Sequence, residues 1–333
     1  MRSLLALAFL AGAQEPRLNH EGRTLPPTPP VTRPVLFGTP EADAVLSTLQ
    51  VMPKDNPWNE DISERPVHPD SDKIVDTVGR NLRFRWNHDM PFMLVPPNQP
   101  RVDVLMEDPG ESDPGPFPIP DDAPVEGGPL SGPDLAKYQR EGADGDRHLI
   151  LVDPAAMKLY ELFHVYRGAS GWKASCAAIF DLTTNKLRPD GWTSADAAGL
   201  PIFPAVVRYD EVARGSIEHA LRVTVRKTRK AYVYPATHYA STAPAPFQPR
   251  MGERFRLKKD VDISRFPPHV QVILKALKKY GMIVADNGIE WAISIAPDPR
   301  IQGLETLDHK ALKGGDFEVI VPTGPDEGPR ARR

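Results

Sequence analysis

The sequence predicts a mostly β fold: an antiparallel, jelly-roll-like β-sandwich with one amphipathic helix and long proline-rich loops. Three observations predict it. From residue 147 onward, short apolar runs alternate with turn residues, the pattern of a sandwich or barrel. Proline is abundant, at 38 residues against 24 glycines. Because proline breaks helix interiors and central strands, the elements must be short and the loops many. Strands alternating with long helices, as a doubly wound sheet requires, are absent from the pattern.

The elements follow in order. Residues 14–50 read as a proline-rich linker, centred on Pro26-Pro27-Thr28-Pro29-Pro30 and holding one short helix within 40–50. A helix is predicted over 71–78. Asp70 or Ser71 caps it, Ile74, Val75 and Val78 share one face, and Gly79 stops it. Residues 107–134 are acidic and rich in Pro and Gly. The run from Glu111 to Pro120 fits neither a helix nor a central strand. Loops this long are uncommon inside domains and are often functional, so this one is expected to lie across a sheet and shape a groove.

Strands are expected over 148–152, 159–166, 175–182, 205–209, 217–225, 231–234, 254–257, 282–285, 290–295 and 317–321. Asp286-Asn287-Gly288 reads as a hairpin turn, because Asn-Gly tolerates positive φ. One helix interrupts the series. Pro267-Pro268 opens it, Val270, Ile273, Leu274 and Leu277 fall at helical spacing, and Gly281 closes it. One β-sandwich domain is thus expected over 51–322, with a disordered tail over 323–333.

With 333 residues, 40% of them apolar, the chain can build a sizeable core. A net charge of −3 argues against nucleic acid as the main partner, since phosphate binding wants a basic excess. Arg2 precedes an apolar run from Leu4 to Ala11 that ends in Ala11-Gly12-Ala13. That is a signal-peptide pattern over 1–13, cleaved after Ala13, and it predicts a secreted protein, extracellular or periplasmic. The run is shorter than the roughly 20 residues a membrane span needs, and no later stretch reaches that length. A monomer is expected. Cys176 is the only cysteine, so no intrachain disulfide and no thiolate zinc cluster can form; it reads as a buried, inert thiol.

No nucleophile elbow, phosphate loop or HExxH is present. What remains is a set of polar residues on predicted strands and loops. In the 217–225 strand, His219 shares a face with Ile217, Leu221, Val223 and Val225, as a core histidine or one aimed into a ligand cleft. Glu218 and Arg222, on the other face, form a charge pair or contact substrate. An extended 231–238 places Tyr232, Tyr234 and His238 on one side. Asp210 and Glu211 suit glycoside hydrolysis, which needs two carboxyls, or else the first turn of a helix ending at Gly215. Trp192, Tyr209 and Tyr234 could stack on sugar rings. His148, His219 and His238 could hold a transition metal, with Asp146 or Glu218 as a fourth ligand.

Four blocks stand together: ESDPGPFPIP at 111–120, GDRHLILVD at 145–153, LRPDGWTSADAAGLPIFP at 187–204 and YGMIVADNG at 280–288. In these the chain resembles a family of secreted proteins of soil actinobacteria and related bacteria, some joined to carbohydrate-binding modules. The resemblance spans roughly 56–320, and its matching stretches include His148, Asp196, His219 and His238. It implies export and a single domain, and by association a glycan-related role. His164 stands where the family has an acidic residue and is given no role.

The leading expectation is a secreted protein acting on polysaccharide, as a glycoside hydrolase or a polysaccharide lyase. In a hydrolase, Asp210 or Glu211 would be acid or nucleophile. In a lyase, His219 or Tyr234 would be the base and Arg222 would neutralise the uronate. His238 joins the catalytic candidates; His148, Trp192, Tyr209 and Arg222 are the substrate-binding ones. One alternative is a non-catalytic glycan-binding or cell-surface protein. Another is a metal-dependent extracellular enzyme using the three histidines. No cofactor is assigned.

Overall fold

Short apolar runs bounded by turn residues do become short strands in the structure, a computed structural model that describes residues 16–142, 144–242, 244–309 and 312–324. The signal peptide expected at 1–13 and residues 325–333 of the expected tail lie outside the described residues. In chain order the strands are β1 (Arg17–Leu18), β2 (Thr24–Leu25), β3 (Val35–Leu36), β4 (Arg85–Asn87), β5 (Phe92–Leu94), β6 (Val104–Met106), β7 (Leu149–Asp153) and β8 (Lys158–Phe163). Then come β9 (Tyr166–Gly168), β10 (Gly171–Ala174), β11 (Cys176–Asp181), β12 (Leu221–Val225), β13 (Arg254–Leu257), β14 (Met282–Asn287), β15 (Ala292–Ser294) and β16 (Phe317–Val319). The helices are α1 (Pro40–Leu46), α2 (Ser71–Val78), α3 (Pro133–Glu141), α4 (Tyr209–Arg214), α5 (Pro268–Lys279) and α6 (Thr306–His309).

Two large sheets dominate. One runs β11-β8-β7-β5-β3 and the other β16-β13-β14-β12-β15-β4. Every residue of β7 is buried, as expected of a strand covered on both faces. Its side chains divide by alternation. Ile150 and Val152, with Leu159 and Phe180 of the neighbouring strands, enter a core shared with Leu221, Val223, Met282 and Phe317 of the six-stranded sheet. Ile74 and Val75 of α2 and Ile273 and Leu277 of α5 complete that core. Leu149 and Leu151 face the other way, into a second core with Leu162 and Ala177.

The proline-rich segment closes this second core. Phe117, Ile119, Ala123 and Val125 are buried against the five-stranded sheet, together with Trp172 of β10. Phe117 and Val102 exchange backbone hydrogen bonds of 2.9 Å, an edge pairing that tolerates the flanking prolines. The expectation of a loop laid over a sheet therefore describes this segment.

Other expectations change. Residues 17–50 are no linker: Val31, Val35, Phe37, Ala42 and Val45 are buried in the shared core, and β3 pairs with β5. Their apolar residues are few but regularly spaced, and burying them offsets the cost of ordering the chain. The 205–209 strand is replaced by a 3-10 turn (Phe203–Ala205) and α4. The 217–225 strand begins only at Leu221, because the Ala220 amide is taken by the Trp58 carbonyl at 2.7 Å. The Asp-Asn-Gly hairpin does not form. β12 lies between β14 and β15, and neither Asn287 nor Gly288 has a positive φ. Gly288 instead meets Thr224, whose Cβ would lie 3.1 Å from an added Cβ. The large sheets are mixed rather than wholly antiparallel, since β5 runs parallel to β7, β12 to β14 and β15 to β4. No helix among the described residues is long and apolar enough to cross a membrane.

If the proline-rich segment is an integral cover, Phe117→Ala will lower stability by about 3–5 kcal/mol in urea unfolding. A change near zero would mean that the segment is a detachable insertion.

Candidate acid–base site

The site begins where the chain enters β7. Arg147 is buried in the left-handed region, with φ of 48°. Its guanidinium donates to the carbonyls of Val165 and Tyr138, each at 2.9 Å, and lies over the rings of Tyr138 and Tyr166 at 4.6 and 4.0 Å. The next residue, His148, is 1% exposed. It donates from Nδ1 to Glu126 Oε2 at 2.6 Å and from Nε2 to the Ala195 carbonyl at 2.9 Å. Both partners are acceptors, so the ring carries two protons and a positive charge. Glu126 Oε2 also accepts from the His148 amide at 3.1 Å. Burial opposes the charge of His148, but the facing Glu126 outweighs it and holds the imidazolium up to a pKa of about 10.

The loop that supplies Ala195 supplies Asp196 as well. Ser194 shapes it, accepting from the Asp196 amide at 3.0 Å and donating to the Leu200 carbonyl at 2.6 Å. Asp196 is fully buried and takes a two-pronged hydrogen bond from Arg222 of β12, Nε to Oδ2 at 2.9 Å and Nη2 to Oδ1. Arg222 Nη1 donates to Ser294 Oγ of β15, and Ser294 Oγ reaches Asp89 Oδ2 at 3.3 Å. On the other side of β12, the register with β14 slips between Val223 and Thr224 and brings Asp286 opposite Thr224. Deeper still, Glu161 of β8 accepts the amides of Ile202 and Phe203 at 2.8–3.0 Å.

Three of these carboxyls have no cation of their own among the described residues. Burial pushes Asp286 up to about 7, helped by the nearby Asp196 charge and resisted by Arg222. Burial likewise pushes Asp89 up to about 7 against the pull of Arg222. Glu161 also rises to about 7 by burial, against its two backbone donors. Asp89 as a whole is half-buried, yet its Oδ1 is sealed from solvent with no hydrogen-bond partner. Asp286 and Glu126 are also half-buried, so the centre reaches the surface through carboxyls. Groups poised near neutral pH are what proton transfer requires.

The candidates named from sequence fall into separate places. His148 and Arg222 belong to this centre. Asp210, Glu211 and His219 come together elsewhere: Glu211 pairs with Arg208 at 2.5 Å and with His219 Nε2 at 3.0 Å. Burial and the Glu211 charge raise Asp210 to about 6. In Glu211 burial is outweighed by Arg208 and His219, which hold it down to about 2. The cavity they line is about 30 Å³, room for water and not for a sugar, and Asn19 and Arg23 close it by pairing with Glu218. His238 donates Nδ1 to the Ala197 carbonyl at 2.7 Å and stacks on Tyr239. The three histidines therefore do not converge as one ligand set. The one group of ligand type among the described residues is Glu126, Asp146 and His148.

Trp192 lines a groove of about 510 Å³ with Phe180 and Arg188. Tyr209 is packed under the Arg300 guanidinium at 3.8 Å, and Tyr234 is half-buried beside Pro235. Cys176 is buried as expected, donating to the Ser194 carbonyl at 3.1 Å, and burial pushes its thiol up to about 12. Sequence reasoning gave no role to Glu126, Asp89, Glu161, Asp286 or Ser294. Glu126 sits in the proline-rich cover, and Asp286 read as a turn residue. Comparison with protein-family models, curated proteins and solved structures finds no match.

Asp89, Asp286 and Glu161 hold protons in the folded state that the unfolded chain has already released. Their contribution to stability is thus present below the ordinary carboxyl pKa near 4 and is lost as pH rises toward about 7. Urea unfolding should show stability falling by at least about 1 kcal/mol between pH 5 and 8, with the double variant D89N/D286N flattening the slope. Arg222→Met leaves Asp196 buried without its partner and should cost about 3–5 kcal/mol by the same measurement.

Proposed function

We propose that this chain is a secreted enzyme that hydrolyses polysaccharide, with the centre around Arg222 and Asp196 as its acid–base site. The observation that carries this reading is the pair Asp89 and Asp286, two half-buried carboxyls within electrostatic reach of Arg222, one bonded to Ser294 of β15 and the other on β14, and both raised to about 7. At neutral pH one can give its proton to a glycosidic oxygen while the other, ionised, serves as base or nucleophile. The groove beside Trp192 and Phe180 gives a sugar ring aromatic surface to stack on, along the same 188–196 loop that carries Asp196. The two large sheets serve as the sandwich-type scaffold in this proposal.

Elimination has less support. Arg222 is 2% exposed and already gives Nε and Nη2 to Asp196 and Nη1 to Ser294, so its two-pronged edge is taken and the group is shielded from a uronate. His219 is held between Glu211 and the Ala220 carbonyl. A second reading, glycan binding without catalysis, draws on one surface feature. Tyr232, Tyr239 and His238 form a half-exposed ladder of stacked rings, with centroids 6.2 and 5.7 Å apart.

A polysaccharide panel tests the proposal. New reducing ends without the ultraviolet absorbance of an unsaturated uronate are expected, and Asp286→Asn should lower their rate at least about 100-fold with unchanged circular dichroism. Unsaturated products would overturn hydrolysis in favour of elimination. Retention on insoluble glycan with no product, lost in Tyr239→Ala, would favour binding alone. Export is checked by the mass of the protein recovered from the medium, expected to begin at Gln14.

A further inference from the structure

We propose that Glu126, Asp146 and His148 form a binding site for a first-row divalent cation of the zinc class, at the outer end of the buried centre. The inference does not depend on the hydrolytic reading. One ligand atom from each residue lies within 4.8 Å of the other two. The set is one imidazole and two carboxylates, which suits zinc, manganese or iron rather than a hard oxygen-only ion.

The orientation of His148 is the second and independent observation. Its Nε2 is committed to the Ala195 carbonyl at 2.9 Å, an acceptor outside the cluster. A histidine ligand commonly donates its other ring N–H to a backbone carbonyl, which fixes the tautomer and aims the remaining nitrogen at the ion. Here that remaining nitrogen, Nδ1, faces Glu126 Oε2 at 2.6 Å. Between them there is room for a proton. When a cation replaces it, the two atoms must part to roughly 3.3 Å for bonds near 2.0–2.2 Å. Glu126 can make that shift at its half-buried end, and its other oxygen makes no recorded hydrogen bond among the described residues.

The positions of the other groups also fit. The backbone of the two strongest ligands is pinned, since the Glu126 amide donates to the His148 carbonyl at 2.9 Å. The Asp146 carbonyl accepts from His164 at 2.8 Å while its carboxylate stands exposed, so the third ligand is reachable by solvent. Three protein ligands leave at least one position for water, the arrangement of an open rather than a closed structural site. Arg222, which acts electrostatically on His148, is neutralised by Asp196, and the buried Arg147 turns its guanidinium to the Val165 and Tyr138 carbonyls.

The test is calorimetric titration of the chelator-stripped, full-length mature protein with zinc chloride and, separately, manganese chloride. One equivalent of zinc is expected, bound more tightly than manganese. Asp146→Asn should weaken zinc at least about tenfold while leaving circular dichroism and the unfolding midpoint unchanged, because Asp146 is exposed. His148→Asn should abolish the titration, and Asp286→Asn should leave it intact even where it removes hydrolysis. A stoichiometry far below one, or native affinity in both Asp146→Asn and Glu126→Gln, would overturn the assignment.

Discussion

A buried guanidinium gripping a buried carboxylate, Arg222 on Asp196, is the contact on which the rest of this arrangement depends. Taking two charges out of water is costly, and the two-pronged bond to Asp196 with a third bond to Ser294 offsets part of that cost. In return it fixes the 188–203 segment onto β12. That loop then offers the Ala195 carbonyl to His148 and the Ile202 and Phe203 amides to Glu161. One ion pair on the six-stranded sheet thus positions two polar side chains on the five-stranded one.

The same constraint explains the unusual acids. Five carboxyls gather around two cations, and Glu126 and Asp196 take them both. Asp89, Asp286 and Glu161 remain without a positive partner in a poorly solvated region, and neutralisation by a proton is the least costly outcome. The Asp210–Glu211 cluster shows the contrast. There both acids face an arginine, Glu211 is held down by Arg208 and His219 while Asp210 still rises to about 6, and the cavity they line is water-sized. Two clusters of similar composition thus differ in whether each acid faces a cation.

Much of the β character was legible from composition and turn spacing. α2 and α5 were legible in detail, because apolar residues at helical spacing and a closing glycine are local signals. Pairing was not legible. The Asp286-Asn287-Gly288 signal has the chemistry of a tight turn, but β12 inserts between the two strands, and only long-range contacts decide that. His148 and Arg222 could be singled out because each stands in or beside an apolar run. Their partners could not: Glu126 lies 22 residues from His148 in a loop, and Asp196 lies 26 residues from Arg222. The early core residues Val31, Val35 and Phe37 were hidden by the prolines around them.

The covering of β7 on both sides has a further consequence. With a hydrophobic layer against the middle of each broad surface of its sheet, the grooves that sheet lines lie at its edge strands, beside Phe180 of β11 and Leu36 of β3, unlike the central hollow of a jelly roll. A large ligand would meet this part of the molecule at those edges and at the loops beside them. It would be held over a few units at a time, and selectivity would be written in loop length and sequence. Such loops can diverge widely among related chains while both interior layers stay as they are.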